Sequence, residues 1–141
     1  MKMINSAHSP KTIDKLGWIY IQNKKVLMAR SHNKANYYVP GGKREAGESD
    51  RAALRREIKE ELSVDLTEDS ITSLGEFQGQ ADGKPDGVMV NIHCFSADFM
   101  GQIKPDSEIS EVAWFGHADR NRCSAVSVAI LNALKEKCLI D

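Results

Sequence analysis

No stretch of the 141-residue sequence is apolar for long enough to span a membrane, which takes about 20 residues. The opening Met1 to Lys15 is polar and holds a proline but no apolar core, so neither a signal peptide nor a membrane span is expected there. Cysteine is scarce as well. Cys94, Cys123 and Cys138 are odd in number and form no C-x-x-C pair, which argues against a disulfide framework and for a reducing, cytoplasmic setting. All three are expected as small buried or half-buried apolar side chains. An excess of one charge is missing too: 19 Lys+Arg stand against 20 Asp+Glu, a formal net charge of -1. That balance excludes a general nucleic-acid binder in the usual basic style, while leaving room for a local phosphate site. His8, His32, His93 and His117 are scattered without paired metal-ligand spacing, so no zinc site is expected. No repeat, low-complexity tract or linker interrupts the chain, and its length suits one domain over residues 1–141.

What is present reads as an α/β chain. Leu16 to Ile21 and Val26 to Ala29 are rich in strand formers around a polar turn, Gln22 to Lys25, and predict a hairpin. Tyr37 to Val39 suggests a short strand stopped by Pro40-Gly41-Gly42. Ser73 to Gln80 and Val88 to Phe99 predict a second, longer hairpin around the turn formers Asp82 to Gly87, and Val112 to Phe115 another short strand. Apolar residues at Val126, Ile130, Leu131, Leu134 and Cys138 carry helical spacing. Trp18 and Trp114 are expected in the core.

The segment Ser49 to Leu62 predicts a helix, with Ser49 as N-cap and Asp50 in the first turn. Leu54, Ile58 and Leu62 form its packing stripe, while Glu57, Glu60 and Glu61 gather within about 100° on a neighbouring face. Ala53 is small enough there to let a ligand approach. Like charges at i, i+4 cost a few tenths of a kcal/mol, so the cluster needs a cause. A solvated surface is one; a divalent cation, which prefers carboxylate oxygens and substrate phosphates, is the other. The preceding loop favours the cation. Pro40-Gly41-Gly42 lets backbone groups approach a ligand closely, and Lys43, Arg44 and Gly47 lead into a helix N-terminus suited to phosphate.

These residues resemble the Nudix family, whose box reads G-x5-E-x7-R-E-U-x-E-E-x-G-U with U aliphatic. Gly42, Glu48, Arg56, Glu57, Ile58, Glu60, Glu61 and Val64 fall in register over residues 42–64, and Ser63 replaces the second glycine. Beyond a helix end that position is often left-handed. Serine there costs about 1 kcal/mol of strain, or the turn takes another shape.

The resemblance implies the Nudix fold, an α/β/α sandwich around a central mixed sheet. It implies a metal-dependent hydrolase that cleaves the diphosphate linkage of a small nucleotide-type substrate, with (d)NTPs the first class to test. It also implies Mg2+ or Mn2+ on Glu57, Glu60, Glu61 and the Gly42 carbonyl, Arg56 orienting the carboxylates, and Glu48 supporting the loop or a second metal. Substrate contacts fall to Gly41, Gly42, Lys43 and the strand-end Arg30. Glu57 is one candidate general base; Glu108 and Glu111 are others. Gln78, Gln80 and Asp82 are weaker candidates to face the pocket, and Tyr37 or Tyr38 to stack on a base. A catalytically inactive nucleotide-binding module and an isoprenoid-diphosphate isomerase are the competing readings. Oligomeric state stays open, with homodimers common in similar proteins.

Overall fold

A computed structural model describes residues 12–141. Three sheets organise them. Strands β1 (Thr12–Trp18), β4 (Gly41–Gly42), β6 (Thr72–Gln80) and β7 (Met89–Ser96) form a mixed sheet in the order β4-β1-β7-β6, in which only the β1–β7 pair is parallel. Strands β2 (Ile21–Gln22), β3 (Lys25–Ser31) and β9 (Ile109–Phe115) make an antiparallel sheet, and β5 (Asp65–Leu66) pairs with β8 (Phe99–Met100). Two α-helices, α1 (Asp50–Leu62) and α2 (Ala125–Glu136), complete the mixed α/β fold with short 3-10 turns at Glu68–Ser70 and His117–Arg122.

Strand alternation divides the core in two. Leu16 and Trp18 of β1 and Phe95 of β7 pack with Leu54, Ile58 and Leu62 of α1. Val90, Ile92 and Cys94 of β7 point the other way, to Val126, Ile130, Leu131 and Leu134 of α2. The sheet is therefore covered on both faces, as an α/β/α sandwich requires. No helix among the described residues is long and apolar enough to cross a membrane.

The Leu16-to-Ile21 run is not one arm of a hairpin. It serves two sheets: β1 ends at Trp18, the Ile19 amide donates to the Phe95 carbonyl, and β2 turns back on β3. Strand-forming residues signal an extended backbone but not the sheet they join. The β2–β3 turn is two residues, Asn23 and Lys24, both with positive φ as the twist of such a hairpin demands. β1 begins at Thr12, inside the segment read from sequence as a polar start. Tyr37 and Tyr38 make only isolated bridges, to Cys123 and Ala29. The Val88-to-Phe99 run likewise divides, with β7 ending at Ser96 and Phe99 moving to the β5–β8 pair.

Three side-chain expectations need correction. Trp114 is 40% exposed and lies edge-on to Tyr20, whereas Trp18 is fully buried. Cys138 is exposed, because α2 ends at Glu136 and the chain turns with positive φ at Cys138. Ala53 faces the core beneath α1, so its size serves packing and not ligand approach.

Gly79 sets how closely α2 lies on β6. A Cβ there would come within 2.8 Å of the Val126 backbone nitrogen and 2.9 Å of its Cα. Gly79→Ala is expected to lose about 1–3 kcal/mol in chemical denaturation, because backbone must move to admit the methyl. An unchanged denaturation midpoint would contradict this packing.

Candidate active site

Helix α1 is held firmly at both ends. The Ser49 hydroxyl accepts from the Ala52 amide at 3.1 Å, satisfying one N-terminal donor. At the other end Ser63 adopts the left-handed conformation, φ 67°, and its amide donates to the Lys59 carbonyl. Ser63 thus takes the backbone shape a glycine would adopt, and its hydroxyl donates to the Lys104 carbonyl at 3.1 Å. The amides of Lys104 and Asp106 donate to the Leu62 and Glu61 carbonyls at 2.9 Å each. The loop that leads to Glu108 is thereby fastened to the end of the carboxylate helix.

Arg56 links the helix to the loop before it. Its Nε and Nη2 grip both oxygens of Glu48 at 2.7 and 2.9 Å, and Nη2 also donates to the Lys43 carbonyl at 3.0 Å. Nη1 reaches Glu57 at 3.2 Å and Glu60 at 3.4 Å. A planar guanidinium suits this forked role, which an ammonium cannot copy. The Arg56 guanidinium, aided by the Glu45 amide, holds the Glu48 carboxyl at about 2. Glu48 in turn raises the affinity of Arg56 for its proton.

Glu57 and Glu61 stand one helical turn apart, facing the glycine loop. Glu61 is only 3% exposed and accepts the Gly41 amide at 3.0 Å. Burial pushes its carboxyl up to about 8, against that hydrogen bond; the nearby Glu57 and Glu108 push the same way and Lys15 opposes them. Burial also raises Glu57, with Arg56 opposing. Space is tight at both glycines, rigidly so at Gly41, because a Cβ on Gly42 would meet the movable end of Glu57 and one on Gly41 would meet backbone. A Cβ on Gly42 would lie 2.4 Å from the Glu57 carboxyl carbon, and one on Gly41, whose φ is 149°, would strike the Leu16 carbonyl at 1.9 Å.

These groups border a cavity of about 430 Å³. Gly41, Gly42, Lys43, Glu57, Glu61 and Glu108 all line it, so the structure brings most of the sequence-predicted site together. Glu48 and Arg56 lie behind this wall, and Glu60, with a side chain 52% exposed, sits outside the lining. Among the described residues no three acidic, histidine or cysteine side chains form a ready-made metal cage. Arg30 and Glu111 are not in the lining. They pair with each other across β3 and β9, Nη2 to Oε1 at 2.5 Å, and the guanidinium lies 5.9 Å from the Tyr37 ring centre. Gln80 ties its own turn, accepting from the Gly87 amide and donating to the Pro85 carbonyl; of the three weaker candidates only Asp82 reaches the cavity.

Lys15, Lys34 and Tyr38 also line the cavity, and Tyr38 contacts Ser31 through its hydroxyl. Lys15 carried one signal in the sequence, the alternation Ile13, Lys15, Gly17, which shows only once the strand is known to start at Thr12.

Comparisons with known proteins show the family and the fold. The sequence model of the family described as NUDIX domain matches residues 16–131. Over 97 residues the chain is 33% identical to the NAD-capped RNA hydrolase NudC of Vibrio atlanticus, covering 66% of this chain and 33% of that protein. Identity to the protein of the same name from Vibrio vulnificus is 31% over 120 residues, covering 82% and 42% respectively. The chain therefore spans less than half the length of these two relatives. The crystal structure of the MutT NUDIX hydrolase from Burkholderia pseudomallei superposes with a TM-score of 0.71 at 20% identity, covering 86% of this chain and 97% of that one. That likeness shows a shared fold.

The raised Glu61 carboxyl has a consequence for the metal-free protein. Its folded value, about 8, lies above the ordinary 4.5, so between those two pH values the native state binds the extra proton. Stability contributed by this group therefore falls as pH rises through that window. Glu61→Gln keeps an acceptor for the Gly41 amide but carries no charge. Melting temperatures measured with chelator from about pH 5 to 8.5 are expected to decline less steeply in the variant. Equal slopes would show that Glu61 is not protonated in the native state.

Proposed function

The chain belongs to the NUDIX domain family, and from that premise we propose that it is a pyrophosphohydrolase cleaving the diphosphate linkage of a nucleotide-type substrate. The observation that carries the reading is the pairing of Glu57 and Glu61 with the Gly41-Gly42 loop on one wall of a cavity large enough for a small ligand.

Nudix hydrolases generally use a divalent metal, and the donor set here suits one. Mg2+ commonly takes one or two carboxylates and completes its shell with water and substrate phosphates. Glu57 and Glu61 supply two such carboxylates on the cavity wall, one helical turn apart beside the Gly42 backbone. Glu60, at the rim and ion-paired with Arg56, completes the proposed metal-holding set together with the Gly42 carbonyl. When bound, Mg2+ or Mn2+ would neutralise the diphosphate and acidify an attacking water.

The remaining work falls to the chain itself. The Gly41 amide and the Arg56 fork hold Glu61 and Glu57 in fixed orientations. Lys43 offers a cation to the phosphates from the cavity edge. The oxygen of a water attacks phosphorus, the bridging P–O bond breaks, and a carboxylate accepts the water's proton. Glu108 is the better placed of the two loop candidates for that base, because it lines the cavity while Glu111 is engaged by Arg30. Two phosphate-bearing fragments leave.

Triphosphates of nucleosides and deoxynucleosides head the substrate panel, and the names of the two Vibrio relatives add NAD-capped RNA to it. The purified protein with Mg2+ is expected to cleave at least one class in a screen that also holds ADP-ribose and dinucleoside polyphosphates. Glu60→Gln and Glu61→Gln are each expected to lower kcat by about 10²-fold or more, the scale of several kcal/mol of lost charge stabilisation. Ligand binding without any turnover would replace this reading with that of an inactive nucleotide-binding module.

A further inference from the structure

Lys15 occupies a place that neither the box nor the family match explains. It lies on β1, the strand between β4 and β7, with Lys43 just beyond β4 on one side and Ile92 opposite it on β7. Alternation sends Ile13, Lys15 and Gly17 to one face of the sheet, and Ile13 and Lys15 both line the cavity. The sheet order places β1 between β4, whose Gly41 and Gly42 meet Glu61 and Glu57, and β7, which brings Val90 and Ile92 to the same cavity. Lys15, opposite Ile92, therefore lies between the carboxylates and these aliphatic side chains.

The ammonium has no ion pair and no hydrogen bond among the described residues, although the side chain is half-buried. Leaving such a charge unpaired is costly, and a group that binds it in use offsets the cost. Burial, and then the like charge of Lys43, lower its affinity for a proton, with Glu61 opposing. Arg30, the basic residue singled out from sequence, is already engaged by Glu111 outside the cavity, so it does not supply this charge.

We propose that Lys15 is a specificity-determining residue that grips the phosphate adjoining the organic half of the ligand, between the carboxylates and the aliphatic side chains. The proposal rests on the diphosphate-hydrolase reading for its ligand class, and it assigns the nearer phosphate to β1 and the farther one to the carboxylate helix. A charge-assisted hydrogen bond of this kind acts mainly on binding, so its loss raises KM more than it lowers kcat.

Lys15→Met keeps the apolar stem and removes the charge; Lys15→Arg restores a cation. Calorimetry with inorganic pyrophosphate in the presence of Mn2+ needs neither turnover nor a known base. Lys15→Met is expected to weaken pyrophosphate about tenfold or more, with Mn2+ alone binding as tightly as in wild type, and Lys15→Arg to recover most of the loss. With a cleaved substrate from the screen, KM rises by a similar factor while kcat changes less. Undiminished pyrophosphate binding and unchanged KM in Lys15→Met would overturn the proposal while leaving the hydrolase reading intact. Weakened binding of Mn2+ alone would overturn it as well, by showing that Lys15 acts through Glu61. If no substrate turns over yet pyrophosphate binding still depends on Lys15, the hydrolase reading fails and the phosphate contact stands.

Discussion

One guanidinium organises the site. Arg56 grips both oxygens of Glu48, caps the Lys43 carbonyl and steadies Glu57 and Glu60 from a single planar group. The loop over residues 43–48 has no strand or helix of its own and is held by this fork together with the Glu45 amide on Glu48 and the Arg44–Asp50 ion pair. That loop in turn continues from Gly42, where a Cβ would displace the Glu57 carboxyl from its position beside the loop. Arginine is therefore needed for geometry as much as for charge.

Around this fork the fold concentrates negative charge where solvent is scarce. Helix α1 buries Leu54, Ile58 and Leu62 against the sheet, and that packing carries Glu61 with it to near-complete burial. The helix end is closed by the backbone of the segment after β8, through Lys104 and Asp106, which fixes the approach of Glu108 to the same cavity. Opposite, β1 contributes Lys15 and the hairpin between β6 and β7 contributes Asp82. A cavity lined by both charged and aliphatic side chains is a suitable setting for a ligand with a phosphate end and an organic end.

The helix was legible because its signals are local. The Ser49 cap and the stripe at Leu54, Ile58 and Leu62 stand as read, and of the three clustered carboxylates Glu57 and Glu61 line the cavity while Glu60 does not. The left-handed Ser63 was legible as a position, since the glycine it replaces would sit there. Partners distant in sequence were not legible. Nothing local tells that Arg30 faces Glu111 across two strands, that Trp114 lies on an outer face, or that one run of strand formers divides between two sheets at Ile19. Lys15 went unread for a related reason: a lysine at the start of a strand looks solvated until the neighbouring strands are placed around it.

The proposed role of the Arg56 fork in shaping a divalent-metal site is tested by titrating Mn2+ into Arg56→Lys and wild type by electron paramagnetic resonance. Lysine keeps the charge and loses the fork. A folded variant with Mn2+ affinity weaker by about 10-fold to 100-fold is expected, the scale seen when groups that orient metal ligands are lost. Unchanged Mn2+ affinity in a folded Arg56→Lys protein would contradict it.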